Sequence, residues 1–151
     1  MKFHWPPIDG SWTPIGNGPT SHEHQAGDVR QAMIGDVTFP DVKARHLCDA
    51  LHVIAAYQPS FDLTFLGSLS VAKALAWLER LPGVRRKVSA STLNFVIAEM
   101  PCFVVDTHIL RILGRYGSVQ SNAGTRTAYD AIMATLDAWS ADELAELHIL
   151  M

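Results

Sequence analysis

The sequence of 151 residues lacks any run of about 18 apolar residues, the length that a membrane-spanning helix requires. The N-terminus, MKFHWPPIDG, also lacks the apolar core of a signal peptide. These two absences predict a cytoplasmic protein with no membrane partner. Cysteine is scarce too, because Cys48 and Cys102 are the only two. Two thiols without an export signal favour reduced core residues over a disulfide framework.

Convincing strand patterns are missing as well, because the apolar residues recur at helical spacing and not in alternation. A hydrophobic fraction of 48% is enough for a packed core at this length. We therefore predict one all-α domain, a helix bundle, over residues 28–151. Residues 1–27 are rich in Pro, Gly, Trp and His without any period, which predicts an irregular segment. His22 and His24 in that segment have no Cys or acid at zinc spacing, so no metal site is predicted.

Capping residues and turn residues predict where the helices begin and end. One helix should start with Thr38 as its cap, Pro40 in the first turn and Asp41 reaching back, and it should end near Tyr57. Further helices are expected after Ser70, from Arg86 to Ala98, from Thr107 to Tyr116 behind the cap Asp106, around Tyr129 to Trp139, and after the capping box of Ser140 and Glu143.

Apolar spacing indicates which helix faces should be buried. The expected stripes are Ala44, Leu47, Leu51 and Ile54; then Val71, Leu75 and Leu78; and finally Leu144, Leu147 and Leu150. Trp77 lies off the second of these stripes.

The net charge of −3 is unevenly distributed along the chain. Six basic residues and only two acids lie between Arg80 and Arg115, which gives this stretch a charge of +4. The rest of the chain carries −7. A concentrated positive stretch is compatible with a nucleic-acid contact, and equally with a solvated basic face.

The stretch from Leu81 to His108 contains a turn suited to a phosphate, and beside it a candidate nucleophile and a candidate acid. Gly83 can adopt the positive φ with which a turn directs N–H groups outward, and a helix is predicted directly afterwards. Lys87 lies at the start of that helix and Asp106 lies beyond its far end. A neutral lysine amine is a nucleophile, and a carboxylate stabilises a developing cation. Taken singly, the turn could be a plain connection, Lys87 a solvated charge and Asp106 a helix cap.

This stretch resembles the helix-hairpin-helix glycosylases of base-excision DNA repair, most closely the endonuclease III branch. The family hairpin reads roughly Leu-Pro-Gly-Val-Gly-x-Lys, and the family acid stands in Val-Asp-Thr-His. The corresponding residues here are Leu81-Pro82-Gly83-Val84-Arg85-Arg86-Lys87 and Val105-Asp106-Thr107-His108. The two motifs stand at nearly the family separation. The resemblance is good from about Thr38 to Arg115 and weaker towards Met151.

The resemblance implies a helix-hairpin-helix fold and a DNA glycosylase with abasic-site lyase activity. Lys87 would be the nucleophile and Asp106 the acid that stabilises the sugar and assists proton transfer, while His108 would be structural. Double-stranded DNA would be the partner and oxidised pyrimidines the substrate class. The residues implied to contact DNA are Leu81, Pro82, Gly83, Val84, Arg85 and Arg86.

The sequence departs from the family pattern in four respects. Arg85 replaces the second hairpin glycine, and Ser89 stands where Ala is usual. No helix with a Gln in an apolar setting, the usual source of the wedge that enters the DNA stack, is recognisable. With two cysteines, the four-cysteine iron–sulfur cluster of many relatives cannot form on the usual plan, so no cofactor is predicted. The chain therefore looks like the family core shortened at both ends.

Two other functions remain open from the sequence. The first is a helix-hairpin-helix module that binds DNA without turnover, and the second is a helical interaction domain with coincidental motifs. The shortening also predicts an uncovered apolar face, and therefore self-association.

Overall fold

The computed structural model describes residues 27–35, 38–97, 100–120 and 122–151. In these ranges the backbone forms helices and no strand, which confirms the all-α prediction. The chain divides into two compact units, Met1–His52 and Val53–Met151. The predicted irregular segment 1–27, with His22 and His24, lies outside the described residues except for Gly27, which is helical.

The first unit contains helix α1, residues 27–33, and most of helix α2, Pro40–Tyr57. Helix α2 begins at a proline, whose fixed φ suits the first helical position, and both of its ends match the prediction. Asp41 was expected to reach back and cap this helix. Its carboxylate instead accepts a hydrogen bond from Arg30 of α1 and forms an ion pair with it.

The buried face of α2 differs from the predicted stripe. Ala44, Cys48 and Ile54 are buried, whereas Leu47 and Leu51 are 41% and 43% exposed. The buried face therefore follows Ala44 and Cys48 and leaves the two leucines partly in solvent.

The second unit carries the remaining helices. They are a 3₁₀ turn at Thr64–Ser68, α3 at Val71–Leu78, α4 at Arg86–Ser91 with a π-helical continuation at Thr92–Ile97, α5 at Thr107–Arg115, α6 at Thr125–Met133 and α7 at Ala141–Leu150. Helix α4 packs against α3 and α6, and its π-helical continuation packs against the 3₁₀ turn and α7. The largest fully buried side chains of this unit include Leu66, Leu93, Phe103 and Leu144.

Trp77 belongs to this core, although it lies off the predicted stripe of α3. It is only 7% exposed, and its ring meets Phe65 edge to face with the centroids 5.4 Å apart. The 3₁₀ turn supplies Phe65, so α3 is covered on a second face that helical spacing alone does not predict.

The long helix predicted from Arg86 to Ala98 changes its winding at Thr92. The hydroxyls of Ser89 and Thr92 donate to the carbonyls of Arg85 and Val88, four residues earlier, at 3.0 and 2.9 Å. Such bonds compete with the regular helical pattern, and π-helical turns are common where it is perturbed. The wider turn contains Asn94, which is buried and donates to the backbone oxygens of Met100 and Ala141.

The last two helices partly contradict the sequence patterns. Helix α6 ends at Met133 and does not extend to Trp139, and the Thr135 N–H after it donates to the Ile132 carbonyl, three residues earlier. Trp139 is 40% exposed as a result. The capping box of Ser140 and Glu143 is present as predicted, with hydrogen bonds in both directions. Leu150, assigned to the apolar side of α7, is 75% exposed. Among the described helices, none is long and apolar enough to cross a membrane.

The capping box yields a test of the fold. We expect Ser140→Ala to lower the free energy of unfolding by about 1 kcal/mol, because the first turn of α7 loses its side-chain acceptor. Ser70→Ala is the matched control, since Ser70 occupies the N-cap position of α3 without a side-chain capping bond. It should change stability by less than about 0.5 kcal/mol. Urea unfolding of both variants measures the difference, and equal losses would contradict the assigned role of Ser140.

Candidate functional site

A tight turn joins α3 to α4. The Val84 N–H donates to the Leu81 carbonyl at 3.0 Å, with Pro82 and Gly83 at the two central positions. Gly83 has a φ of 76°, as the sequence predicts. Proline followed by a residue with positive φ is the arrangement of a type II turn, in which glycine is strongly preferred. Leu81 is buried, which anchors the turn in the core, while Gly83 is exposed.

Arg85 occupies the N-cap position of α4 in an extended conformation, with φ of −121° and ψ of 177°. An arginine side chain has no acceptor, and Arg85 makes no side-chain capping bond to this helix start. Exposed Gly83 and Arg85 therefore precede a helix start whose N-cap residue supplies no side-chain acceptor to the backbone donors.

Asp106 caps the next element, α5, as predicted. Its Oδ1 accepts from the backbone N–H groups of His108 and Ile109, each at 2.9 Å. The side chain of His108 is exposed, so its observed contribution here is a backbone N–H to the cap. Using Oδ1 for the cap leaves Oδ2 available for a different contact.

That contact is with Lys87. The Nζ of Lys87 lies 3.8 Å from Asp106 Oδ2, so the structure brings together the two residues to which the sequence assigns chemistry. The Lys87 side chain is 55% exposed and that of Asp106 is 19% exposed. The amine is thus accessible from solvent, whereas the carboxylate is largely enclosed and fixed by its two backbone donors.

The electrostatic environment keeps Asp106 ionised. Burial by itself would raise the pKa of this carboxyl. The hydrogen bonds from Ile109 and His108, together with the positive charge of Lys87, outweigh burial and hold the pKa below its ordinary value. At neutral pH the site therefore contains a fixed carboxylate facing an amine.

Arg86 is placed differently from its neighbours. It was predicted to contact DNA, but its side chain is only 11% exposed and points into the second unit. Its Nε donates to Glu79 Oε1 at 2.6 Å, and its Nη1 donates to Asp130 at 3.2 Å. The guanidinium also lies over the ring of Tyr129, 4.7 Å from the centroid. The structure gives Arg86 an internal role and leaves Arg85 as the exposed arginine beside the turn.

Glu79 completes this network, which is missing from the sequence prediction. Its second oxygen accepts from Arg126 of α6 at 2.5 Å. Burial would raise the pKa of Glu79, but the two arginines outweigh it and hold the pKa below the usual range. In the sequence, the one local indication of this network is that Glu79 and Arg86 lie seven residues apart, on either side of the turn. The α6 partners Arg126 and Asp130 lie more than forty residues away in sequence, so no local pattern indicates them.

A buried thiol and phenol lie beside the same network. Burial raises the pKa of Cys102 to about 11, against smaller opposing effects of a hydrogen bond with Tyr129 and the charge of Arg86. Burial likewise raises the pKa of Tyr129. Both groups are neutral at physiological pH, which agrees with the predicted reduced core thiol.

Comparison with known proteins adds no assignment: the chain matches no protein-family model, and no curated protein matches it. The candidate site is therefore defined by its own geometry.

The turn yields a paired test. Gly83→Ala should cost about 1–2 kcal/mol of unfolding free energy, because Ala is disfavoured at positive φ. Gly114→Ala is the matched control: Gly114 lies inside α5, and an added Cβ would meet no atom within 4 Å. It should stabilise the protein by up to about 1 kcal/mol, since Ala is the better helix former. Effects of the same sign in thermal unfolding would refute the assigned turn conformation.

The state of Asp106 predicts a pH dependence. A carboxyl whose folded pKa is depressed contributes stability above its unfolded pKa, and that contribution disappears as pH falls through the folded value. Asn also caps helices well, so Asp106→Asn removes mainly the charge. We expect this variant to be about 1 kcal/mol less stable at neutral pH. The difference should close in strong acid, where both side chains are neutral. Urea unfolding at both pH values measures it, and a difference that persists in acid would contradict the ionised cap.

Proposed function

We propose that the chain is a DNA glycosylase with abasic-site lyase activity, built on a helix-hairpin-helix and acting on oxidised pyrimidines in double-stranded DNA. One observation carries the proposal: Lys87 Nζ and Asp106 Oδ2 lie 3.8 Å apart, although nineteen residues separate them in sequence. These are the residues that the resemblance selects as nucleophile and acid.

The chemistry requires both groups. The neutral amine of Lys87 attacks C1′ of the damaged nucleotide, and the bond from C1′ to the base breaks with its electron pair leaving on the base. The fixed carboxylate of Asp106 stabilises the positive charge that develops on the sugar. Nζ then loses a proton, and the C1′–O4′ bond breaks with its electron pair on O4′, which takes up a proton. A protonated imine now joins Nζ to C1′. Loss of a proton from C2′ expels the 3′ phosphate and cleaves the strand.

Lys87 must lose a proton before it attacks. Asp106 Oδ2 is the nearest ion-pair acceptor, and its position would orient the amine while the proton leaves. The capping bonds to Oδ1 keep that orientation fixed, because the side chain cannot rotate without breaking both of them.

In this proposal the DNA backbone binds at the turn and at the exposed Arg85 beside it. Gly83 and Arg85 are exposed, and Lys87 follows within the first turn of α4. Backbone donors at a helix start, next to two cations, suit a phosphate and carry no sequence preference. Arg86 would support this surface from below through Glu79, and Arg85 would be the arginine that reaches the phosphate.

The same ion pair also favours a second function, a DNA-binding module without turnover. An ammonium held beside a carboxylate binds phosphate but is not a nucleophile, since it has no free electron pair. In that case the surface would bind DNA with a steep salt dependence and leave the strand intact.

Borohydride trapping on a duplex with one abasic site separates these functions. Reduction converts the imine into a stable protein–DNA bond, so catalysis gives a covalent band. Lys87→Ala should lower the yield of that band by more than about 10³-fold, because it removes the nucleophile. Lys73→Ala is the control, since Lys73 is an exposed lysine on α3 in the same unit. It should leave the band unchanged.

A second duplex carries a tetrahydrofuran in place of the abasic sugar, and it should give no band because it has no aldehyde. If the natural abasic duplex is bound at the same salt but gives no band, the catalytic proposal fails and the binding module stands. A band that survives in Lys87→Ala would also exclude the proposed mechanism.

A further inference from the structure

We infer that Glu79 and Arg86 are positioning residues, which hold Lys87 opposite Asp106 by fixing the start of α4. The functional consequence of this inference rests on the proposed function, whereas its structural part concerns only where the Lys87 amine lies.

The first step is the anchoring of the Arg86 side chain. Three groups engage its guanidinium from three directions: Glu79 through Nε, Asp130 through Nη1 and the ring of Tyr129 across its face. A planar guanidinium fixed by hydrogen bonds along its edge and by a ring on its face can neither rotate nor translate freely. The Arg86 side chain is therefore anchored where α4 begins.

The second step is what this anchoring determines. Arg86 immediately precedes Lys87, and α4 keeps regular winding for only six residues, Arg86–Ser91, before the π-helical turn. The Lys87 side chain is 55% exposed, and Asp106 is its only ion-pair partner among the described residues. With little packing of its own, Lys87 takes its backbone position from its helical neighbours, the anchored Arg86 before it and the buried Ser89 two residues later.

The third step is the charge arrangement around Arg86. Glu79 lies between two arginines, Arg86 and Arg126, and Arg86 lies between two acids, Glu79 and Asp130. Alternating charges of this kind link the C-cap of α3, the first turn of α4 and two residues of α6, Arg126 and Asp130. Removing the central carboxylate would leave Arg86 buried without its strongest partner, so the start of α4 would shift to expose it.

A small shift matters because the contact between Lys87 and Asp106 is marginal. At 3.8 Å the two atoms form an ion pair that is too long for a hydrogen bond. A further displacement of about 1 Å at a reacting group can cost on the order of 10²-fold in rate. The network is thus expected to affect the rate of the chemical step. Phosphate binding, which the turn provides, should remain largely unchanged.

Two variants test this step, with a control that carries the same chemical change. Glu79→Gln removes the central charge, and Arg126→Gln removes an outer partner whose side chain is 62% exposed. Glu146→Gln on α7 is the control, since Glu146 is exposed. Thermal unfolding first establishes that each variant is folded at the assay temperature. If Glu79→Gln is not folded, Arg126→Gln decides the outcome.

The first readout is the rate of borohydride trapping as a function of DNA concentration. We expect the maximal rate of Glu79→Gln to fall by about 10- to 100-fold, with a half-saturating DNA concentration within about twofold of the native protein. Arg126→Gln should show a smaller loss of the same kind. In an Asp106→Asn background, Glu79→Gln should cause no additional loss, because its effect passes through that contact. Equal losses in both backgrounds, or a change confined to half-saturation, would overturn the inference.

The second readout needs no DNA. Limited acylation followed by mass spectrometry gives the reactivity of Lys87 relative to Lys73, which is exposed on α3. If the network positions the amine against Asp106, folded Glu79→Gln should show a several-fold change in this ratio, and Glu146→Gln none. An unchanged ratio in a folded variant would refute the positioning role. A missing trapped band in the native protein would instead defeat the proposed function, while the acylation ratio would still decide the positioning role.

Discussion

The guanidinium of Arg86, held between Glu79 and Asp130 and against the ring of Tyr129, is the contact on which the second unit depends. A charge that is 11% exposed is costly unless its donors are satisfied. Satisfying them requires α3, α4 and α6 to meet at one point. The turn at Pro82 and Gly83 makes this meeting possible, since it brings the C-cap of α3 back against the first turn of α4.

The candidate site follows from that constraint. Arg86 faces inward, so the next residue along the helix, Lys87, projects about 100° away and reaches solvent. Asp106 meets it there because the buried crossing from Cys102 to Val105 brings the start of α5 to the same side. Oδ1 of Asp106 caps the start of α5, and Oδ2 faces the amine of Lys87. The Asp106 side chain therefore serves both the stability of α5 and the proposed chemistry.

Local chemistry made several features predictable. Both ends of α2, the positive φ of Gly83, the cap at Asp106 and the capping box at Ser140 depend on residues within four positions of one another. Some errors arise where distant segments decide, and others where hydroxyl–carbonyl bonds over four residues perturb a helix. Phe65 covers Trp77 from the 3₁₀ turn, hydroxyl–carbonyl bonds and the buried Asn94 accompany the π-helical turn, and the chain leaves helix after Met133 despite an apolar pattern that continues.

By itself, the sequence determined the helical class, most helix starts and the turn, because each rests on backbone preferences and spacing over a few residues. Lys87 and Asp106 were selected by the resemblance of their motifs to those of a known family. Only the tertiary structure decided that Lys87 and Asp106 lie within ion-pair distance, and that Arg86 faces an internal network while Arg85 remains exposed. Asp130, the ion-pair partner of Arg86 on α6, lies 44 residues away in sequence, and Arg126, the partner of Glu79, lies 47 residues away. Contacts over such separations depend on how whole helices pack, which no local pattern encodes.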